Sequence, residues 1–333
     1  AILVKFFSFT FVSKSLKILI VRFRSIGDIV LTTPVIRSLK NQLKAEVHFL
    51  TKYQYHSIVA NNINLDKVFY LHNSLSQILK DLRSEDYDYI IDLHNNLRSL
   101  FLVTLGVRIR RYSKSNFKKF MYINFGINNL RDEHIVDRYM KTVNFLGIKN
   151  DNKGLDYFIS PSNHVDFNID QKFIAWSIGA SRIQKQLSIE QVSKVCSKIK
   201  LPIVLLGGEE EIVNGAAIVS SCNKDNIYNF CGKLSLDQSA FIIKHSILLL
   251  SNDTGLMHIG AAFRKHIISF WGCTKPEMGF SPYLSNEKSI KIISSKSKRP
   301  CSKHGSSCRF TKDGCIKLIN SAKIYSAIED FIS

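Results

Sequence analysis

No stretch of the 333 residues approaches the roughly 18 consecutive apolar side chains that a membrane-crossing helix needs. The opening AILVKFFSFTFVSKSL is apolar but short and carries no initiator Met. The organised pattern begins at Lys17, so residues 1–16 are expected outside the fold. No G-x-G-x-x-G is present, which removes support for a dinucleotide. The seven cysteines (Cys196, Cys222, Cys231, Cys273, Cys301, Cys308 and Cys315) include no C-x-x-C pair. That spacing argues against a zinc site, even in the tail PCSKHGSSCRFTKDGCI. An odd, scattered set also suits a reducing cytoplasm better than a disulfide framework. Acidic residues are scarce: 27 Asp and Glu face 46 Lys and Arg, a formal charge of +19. The excess favours an anionic partner, whether nucleic acid, phosphorylated substrate or acidic membrane surface. No recognised nucleic-acid-binding motif accompanies the basic, aromatic-interleaved RIRRYSKSNFKK (108–119), so no nucleic acid is expected.

What remains is ample core material, 45% apolar and 11% aromatic. Strand-like runs alternate with helix-like runs. KILIV (17–21) leads into a helix near 28–43 and then EVHFL (46–50). KVFYL (67–71) precedes SLSQILKDLRSE, and YDYIIDL (87–93) precedes NNLRSLFLVTL. Short apolar strands with helical crossovers indicate a parallel sheet covered on both faces. After the polar stretch FISPSNHVDFNIDQK (158–172) the pattern restarts with FIAWSIG, PIVLLGG, NIYNFCG, SILLLSND and KHIISFWG. The closing IKLINSAKIYSAIEDFI is amphipathic and helical in pattern. The fold class is α/β: two Rossmann-like doubly wound domains, residues 1–165 and 166–333, facing across a cleft. A single large doubly wound domain is the alternative.

Ligands of open α/β sheets bind beyond the carboxyl ends of the strands, so four loops carry weight. In SIGD (25–28), Gly27 allows a tight turn. Asp28 either caps the next helix or acts as a general base toward a hydroxyl. In GASRIQKQLS (179–188), Gly179 suits close backbone approach, Ser181 offers a hydroxyl and Lys185 a mobile cation for phosphate. LLGGEEE (205–211) places carboxylates at a helix start, where they are favoured by the dipole or accept from ribose hydroxyls. In SNDTGLMHIGAAF (251–263), Thr254-Gly255 opens a helix whose free N–H groups suit a diphosphate. Asp253 and His258 there could touch sugar or phosphate; a core histidine is the plain alternative. Asp86-Tyr87-Asp88 forms a D-x-D triplet but reads as a turn before IIDL, and no metal site is expected.

Together these loops resemble the ADP-heptose:lipopolysaccharide heptosyltransferase family, glycosyltransferase family 9. The matching stretches are KILIVRFRSIGDIVLTTPVIRSL, YDYIIDLHNNLRS, HIVDRYMKTVNFLGI, IGASRIQKQLS, LLGGEEE and SNDTGLMHIGAAF with FWGCTKP. The resemblance implies a GT-B fold and an inverting, metal-independent, cofactor-free transfer from a nucleotide-sugar, ADP-heptose, to a lipopolysaccharide inner-core acceptor. The first domain would hold the acceptor and the second the donor. Asp28 matches the proposed base; Ser181 and Lys185 match diphosphate contacts and Glu211 a ribose contact. Asp253, Thr254, Gly255 and His258 match the loop that grips sugar and phosphates. Lys185-Gln186-Leu187-Ser188 replaces the usual K-x-W-P. Arg22, Arg24 and Arg98 are candidates for a phosphorylated glycolipid acceptor, and the +19 charge for peripheral attachment to the inner face of the cytoplasmic membrane. A different sugar donor, or a non-catalytic nucleotide-sugar or glycolipid binder, are the competing readings.

Overall fold

Branched apolar residues in runs of four to seven pack well on both faces of a parallel sheet, and that is where they are found. The computed structural model describes residues 15–333, apart from 73, 74, 131, 132, 162, 164 and 169. Most of the apolar segment 1–16 therefore lies outside the described residues. The first sheet comprises β1 (Lys17–Val21), β2 (Glu46–Lys52), β3 (Lys67–Leu71), β4 (Tyr89–Asp92) and β5 (Arg108–Arg111), in the order β3-β2-β1-β4-β5. The second comprises β6 (Ile174–Ser177), β7 (Ile203–Leu206), β8 (Ile227–Asn229), β9 (Leu248–Asn252), β10 (His266–Trp271) and β11 (Ile290–Ile293), in the order β11-β10-β9-β6-β7-β8. All pairings are parallel.

The period of two is visible in the packing. Ile18 and Ile20 join Val47, Phe49 and Ile91 on one face, while Leu19 and Val21 join Leu50 and Ile90 on the other. In the second sheet Ala175 and Val204 face one way, Ile174 and Trp176 the other. One apolar cluster runs from Ile20 and Val35 in the first half to Ala175, Leu249 and Met257 in the second. Strand order reverses at β1, which pairs β2 on one side and β4 on the other, and again between β6 and β9. Such reversals leave a crevice at the carboxyl ends. The loops after β1, β6 and β9 are the ones holding Asp28, Lys185 and Asp253.

Four elements differ from the sequence expectation. The helix near 28–43 is two helices, Ile26–Val30 and Thr33–Leu43. Thr32 and Thr33 hydroxyls donate back to the carbonyls of Ile29 (2.7 Å) and Val30 (2.8 Å), and Pro34 suits the first turn of a new helix. The basic run begins as edge strand β5, its arginines exposed at the sheet margin, where charge blunts edge pairing. NNLRSLFLVTL forms a 3₁₀ helix, Leu97–Leu105, closed by Gly106 in the left-handed region. Strand β11 was not expected, because IKII lies in a stretch dominated by Ser and Lys. Asp86–Asp88 is the connection from the turn at Ser84–Glu85 into β4, and the Asp88 carboxylate accepts from the Lys17 amide at 2.8 Å and anchors β4 beside β1.

Candidate active site

Arg22 directly follows β1 and is buried. Its Nε donates to the Arg24 carbonyl (2.8 Å), one Nη to the Leu93 carbonyl (2.6 Å), and the other Nη pairs with Asp28 Oδ2. Ser25 Oγ donates to the same oxygen at 3.1 Å. A quarter of the Asp28 side chain, 25%, stays exposed. Burial pushes the Asp28 carboxyl up, but Arg22, Ser25 and His258 outweigh it and hold it below the usual carboxylate range. Asp28 does not cap the helix: Ser25 occupies that position and Asp28 lies in the first turn.

Gly27 is helical rather than a turn residue, correcting the expectation made for it. A methyl there would lie 2.5 Å from His258 Cδ2, so the missing side chain is the space the histidine ring fills. The reciprocal constraint holds at Gly255, where a methyl would meet Ile26 at 2.7 Å. SIGD and DTG, one from each half, thus close on each other through two glycines. His258 is buried, with no hydrogen-bond partner at Nδ1. Burial brings its pKa down to about 4 despite Asp253 and Asp28 nearby, so the ring is neutral at pH 7. The helix Gly255–Ala262 has Thr254 at its N-cap and no side-chain cap hydrogen bond. Its positive end is therefore available to an anion.

Lys185 closes a short 3₁₀ turn, Ile183–Lys185, after β6. Its ammonium pairs with Asp253 at 2.7 Å, both side chains largely buried (12% and 14% exposed), and Thr274 Oγ1 donates to the same Asp253 oxygen at 3.0 Å. Ser181 sits exposed on the same loop. Glu211 is buried, accepting from the Gly208 amide (2.9 Å) and Gln186 Nε2 (3.3 Å). Burial raises its pKa, Glu210 adds to this, and the Gly208 amide opposes it. A methyl on Gly179 would lie 2.5 Å from the Glu211 carboxylate. The close approach expected at Gly179 is thus made by Glu211.

Four residues escaped the sequence reading. Asn252 donates to the carbonyls of Ile178 (2.8 Å) and Gly179 (3.2 Å), pinning the β6 loop to the end of β9. Thr274 and Gln186 act as described above. Arg138 is buried in the helix Ile135–Met140 with Nε and one Nη unpartnered, and burial lowers its pKa. An arginine on the apolar face of a helix beside Ile135 and Tyr139 is the signal that could have found it. It lines a cavity of about 910 Å³ with Arg110, Lys114, Lys118 and Glu133. Lys119, close by, is buried, and burial beside Arg138 and Lys303 brings its pKa down to about 7. Arg24 and Arg98 are exposed, whereas Arg22 lies underneath, paired to Asp28.

Two Rossmann-like sheets whose switch-point loops meet, a carboxylate from one side and an uncapped helix start with a lysine from the other, define a GT-B architecture. Residues 75–311 match the family model for glycosyltransferase family 9 (heptosyltransferase). The chain belongs to that family and is a glycosyltransferase. It is 23% identical over 290 residues to lipopolysaccharide heptosyltransferase 1 of Campylobacter coli, covering 78% of this chain and 84% of the relative. A family 9 glycosyltransferase structure from Veillonella parvula superposes with a TM-score of 0.79 at 19% identity, covering 96% of this chain and 97% of that one. The E. coli heptosyltransferase WaaC with ADP-2-deoxy-2-fluoro heptose does so at 0.67 and 18% identity, covering 95% and 99%. Among the described residues no helix is long and apolar enough to cross a membrane.

Proposed function

We propose that this chain moves a heptose from ADP-heptose to a lipopolysaccharide inner-core acceptor, with inversion and without a metal in the reaction. The observation that carries the reading is the closure of SIGD on DTG. It sets an ionised carboxylate against the helix start and the Lys185–Asp253 pair of the opposite half. The donor reading is also supported by the structural neighbour solved with an ADP-heptose analogue.

In this reading residues 166–333 hold the donor. Its diphosphate lies at the Gly255–Ala262 helix start with Lys185, Ser181 and Thr254, competing with Asp253 for the lysine. Glu211 accepts from the ribose, and neutral His258 donates toward sugar or phosphate. Asp28, whose Oδ2 is held by Arg22 and Ser25, takes the proton of the acceptor hydroxyl. That oxygen forms its bond to the anomeric carbon from the face opposite the departing ADP. The bond from the anomeric carbon to the β-phosphate oxygen breaks, and the electron pair leaves on ADP. A single displacement inverts the anomeric centre. Preorganised cations and N–H groups balance the charge that develops on the leaving diphosphate. Arg22 keeps Asp28 ionised and oriented rather than meeting the acceptor itself. Arg138 and Lys114, with Arg24 and Arg98 at the exposed margin, hold the acceptor's anionic groups in residues 1–165.

The same half carries exposed apolar side chains next to basic ones: Leu97 is 86% exposed, Phe117 74% and Phe125 62%, among Arg98, Lys118 and Lys114. That composition supports peripheral attachment to an anionic membrane surface, where the glycolipid acceptor resides. Thermal stabilisation across a panel of nucleotide-sugars tests the donor. ADP-heptose and ADP are expected to raise the melting temperature. A response confined to UDP- or GDP-sugars would overturn the assignment.

A further inference from the structure

The cysteines set aside for lack of C-x-x-C spacing converge. Cys273 follows β10, and Cys301, Cys308 and Cys315 follow at intervals from the tail. The sulfur of each lies within 4.8 Å of the other three. Cys273 Sγ is 3.8 Å from Cys315 Sγ, and Cys301 Sγ is 3.9 Å from Cys308 Sγ. A tetrahedron with metal–sulfur bonds of about 2.3 Å separates its sulfurs by about 3.8 Å. All four are free thiols, three of them buried.

The surroundings suit thiolates. The Phe310 amide donates to Cys308 Sγ at 3.4 Å, and the Cys301 amide donates to the Cys273 carbonyl at 2.8 Å, fixing the tail on the strand end. Lys275 is buried close by, its ammonium donating only a long 3.3 Å bond to the Ser294 carbonyl. Its charge faces Glu277 and the sulfurs of Cys273, Cys301 and Cys315, and a buried cation favours negative charge on its neighbours.

We propose that Cys273, Cys301, Cys308 and Cys315 form a four-thiolate site for one tetrahedral divalent ion, zinc by the chemistry of the donor set. Four protein ligands fill the coordination sphere, so the site is structural and has no open position for a substrate. Its place in the fold gives it a task. A methyl on Gly305 would strike the Lys185 side chain at 2.6 Å, and one on Gly314 would strike the Gln184 carbonyl at 2.5 Å. The loop between the tail cysteines is therefore packed on the turn that carries Lys185. The same loop reaches the first half, where Lys303 donates to Asn116 Oδ1 at 2.7 Å and Arg309 donates to the Ile123 carbonyl. A metal at the four sulfurs staples this strap to β10 and holds the Lys185 turn in place. The inference is independent of which sugar is transferred.

Metal analysis of the full chain, purified with reductant and without chelator, is expected to find about one zinc per chain. After chelation, cobalt(II) should restore the intense visible absorption of a tetrahedral thiolate complex at one equivalent. Cys308→Ser, which changes the outermost ligand, is expected to weaken cobalt binding by at least about tenfold, as loss of even a supporting group does. Cys222→Ser, outside the cluster, should leave it unchanged. Wild-type protein with the four cluster cysteines as free thiols, no bound metal and no cobalt spectrum would overturn the proposal, whether or not the serine variant folds. So would isolation of the chain with these cysteines joined as two disulfides.

Discussion

Gly27 lies in a helix, where alanine would ordinarily be the more stable residue by about 1 kcal/mol. Here the balance is expected to reverse, because the alanine methyl would overlap the His258 ring. Gly27→Ala should cost about 1–3 kcal/mol in denaturant unfolding, the usual range for overpacking, and should depress transfer. His258 itself makes stability depend on pH. Its unfolded pKa is about 6.5 and its folded value about 4, so the unfolded chain binds the extra proton between them. The contribution is fully present above about pH 6.5 and is lost as pH falls toward 4, on the order of 3 kcal/mol in total. Denaturation at several pH values should show this slope, shared with His94 and His134, whose pKa values burial also lowers. His258→Asn should reduce it. At this scale the types and spacing of Asp28, Asp253 and His258 could be read directly. The reason for Gly27 could not, since its neighbour is 231 positions away in the chain.

Elements were legible where apolar runs were continuous. β1, β2, β6, β7, β9 and β10 stand out because both faces are buried; even the polar residues inside β2 (His48, Thr51) and β10 (Ser269) are buried. β5 and β11 are edge strands: β5 exposes its arginines, and β11 exposes Ile290 and Lys291 between flanking Ser and Lys residues, so their sequences read as solvated segments. The cysteine site was hidden for a related reason: one of its four members lies just past β10, 28 residues before the next. Arg37 shows what a connecting element can depend on. Buried in the helix Thr33–Leu43, it pairs with Asp151 (2.7 Å) and with Asp156, and donates to the Gly154 carbonyl at 2.8 Å. These contacts tie the segment entering the second half to the helix behind Asp28. Arg37→Ala would leave both carboxylates without their cation. It is expected to destabilise the chain by about 3–5 kcal/mol in chemical denaturation, the range for breaking a buried pair. A loss under 1 kcal/mol would show that water replaces the pair at little cost.

Over the whole molecule, the +19 charge and the apolar side chains of the first half converge on one expectation. The chain should sediment with anionic phospholipid vesicles, less so as salt is raised from 0.05 to about 0.5 M, because exposed charges are screened beyond about a Debye length. Equal binding to neutral vesicles would contradict an electrostatic contribution. The proposed transfer turns on Asp28 as the proton acceptor across the cleft from the donor. The direct measurement is heptose transfer from ADP-heptose to inner-core-deficient lipopolysaccharide by wild type and Asp28→Asn, with ADP affinity measured in parallel. Asparagine preserves the shape but cannot take the proton. It also leaves Arg22 without its counter-charge, so the variant's melting curve must accompany the rates. The predicted result is a folded variant that binds ADP normally and transfers at least about 100-fold more slowly. A folded Asp28→Asn variant that transfers at the wild-type rate would contradict it.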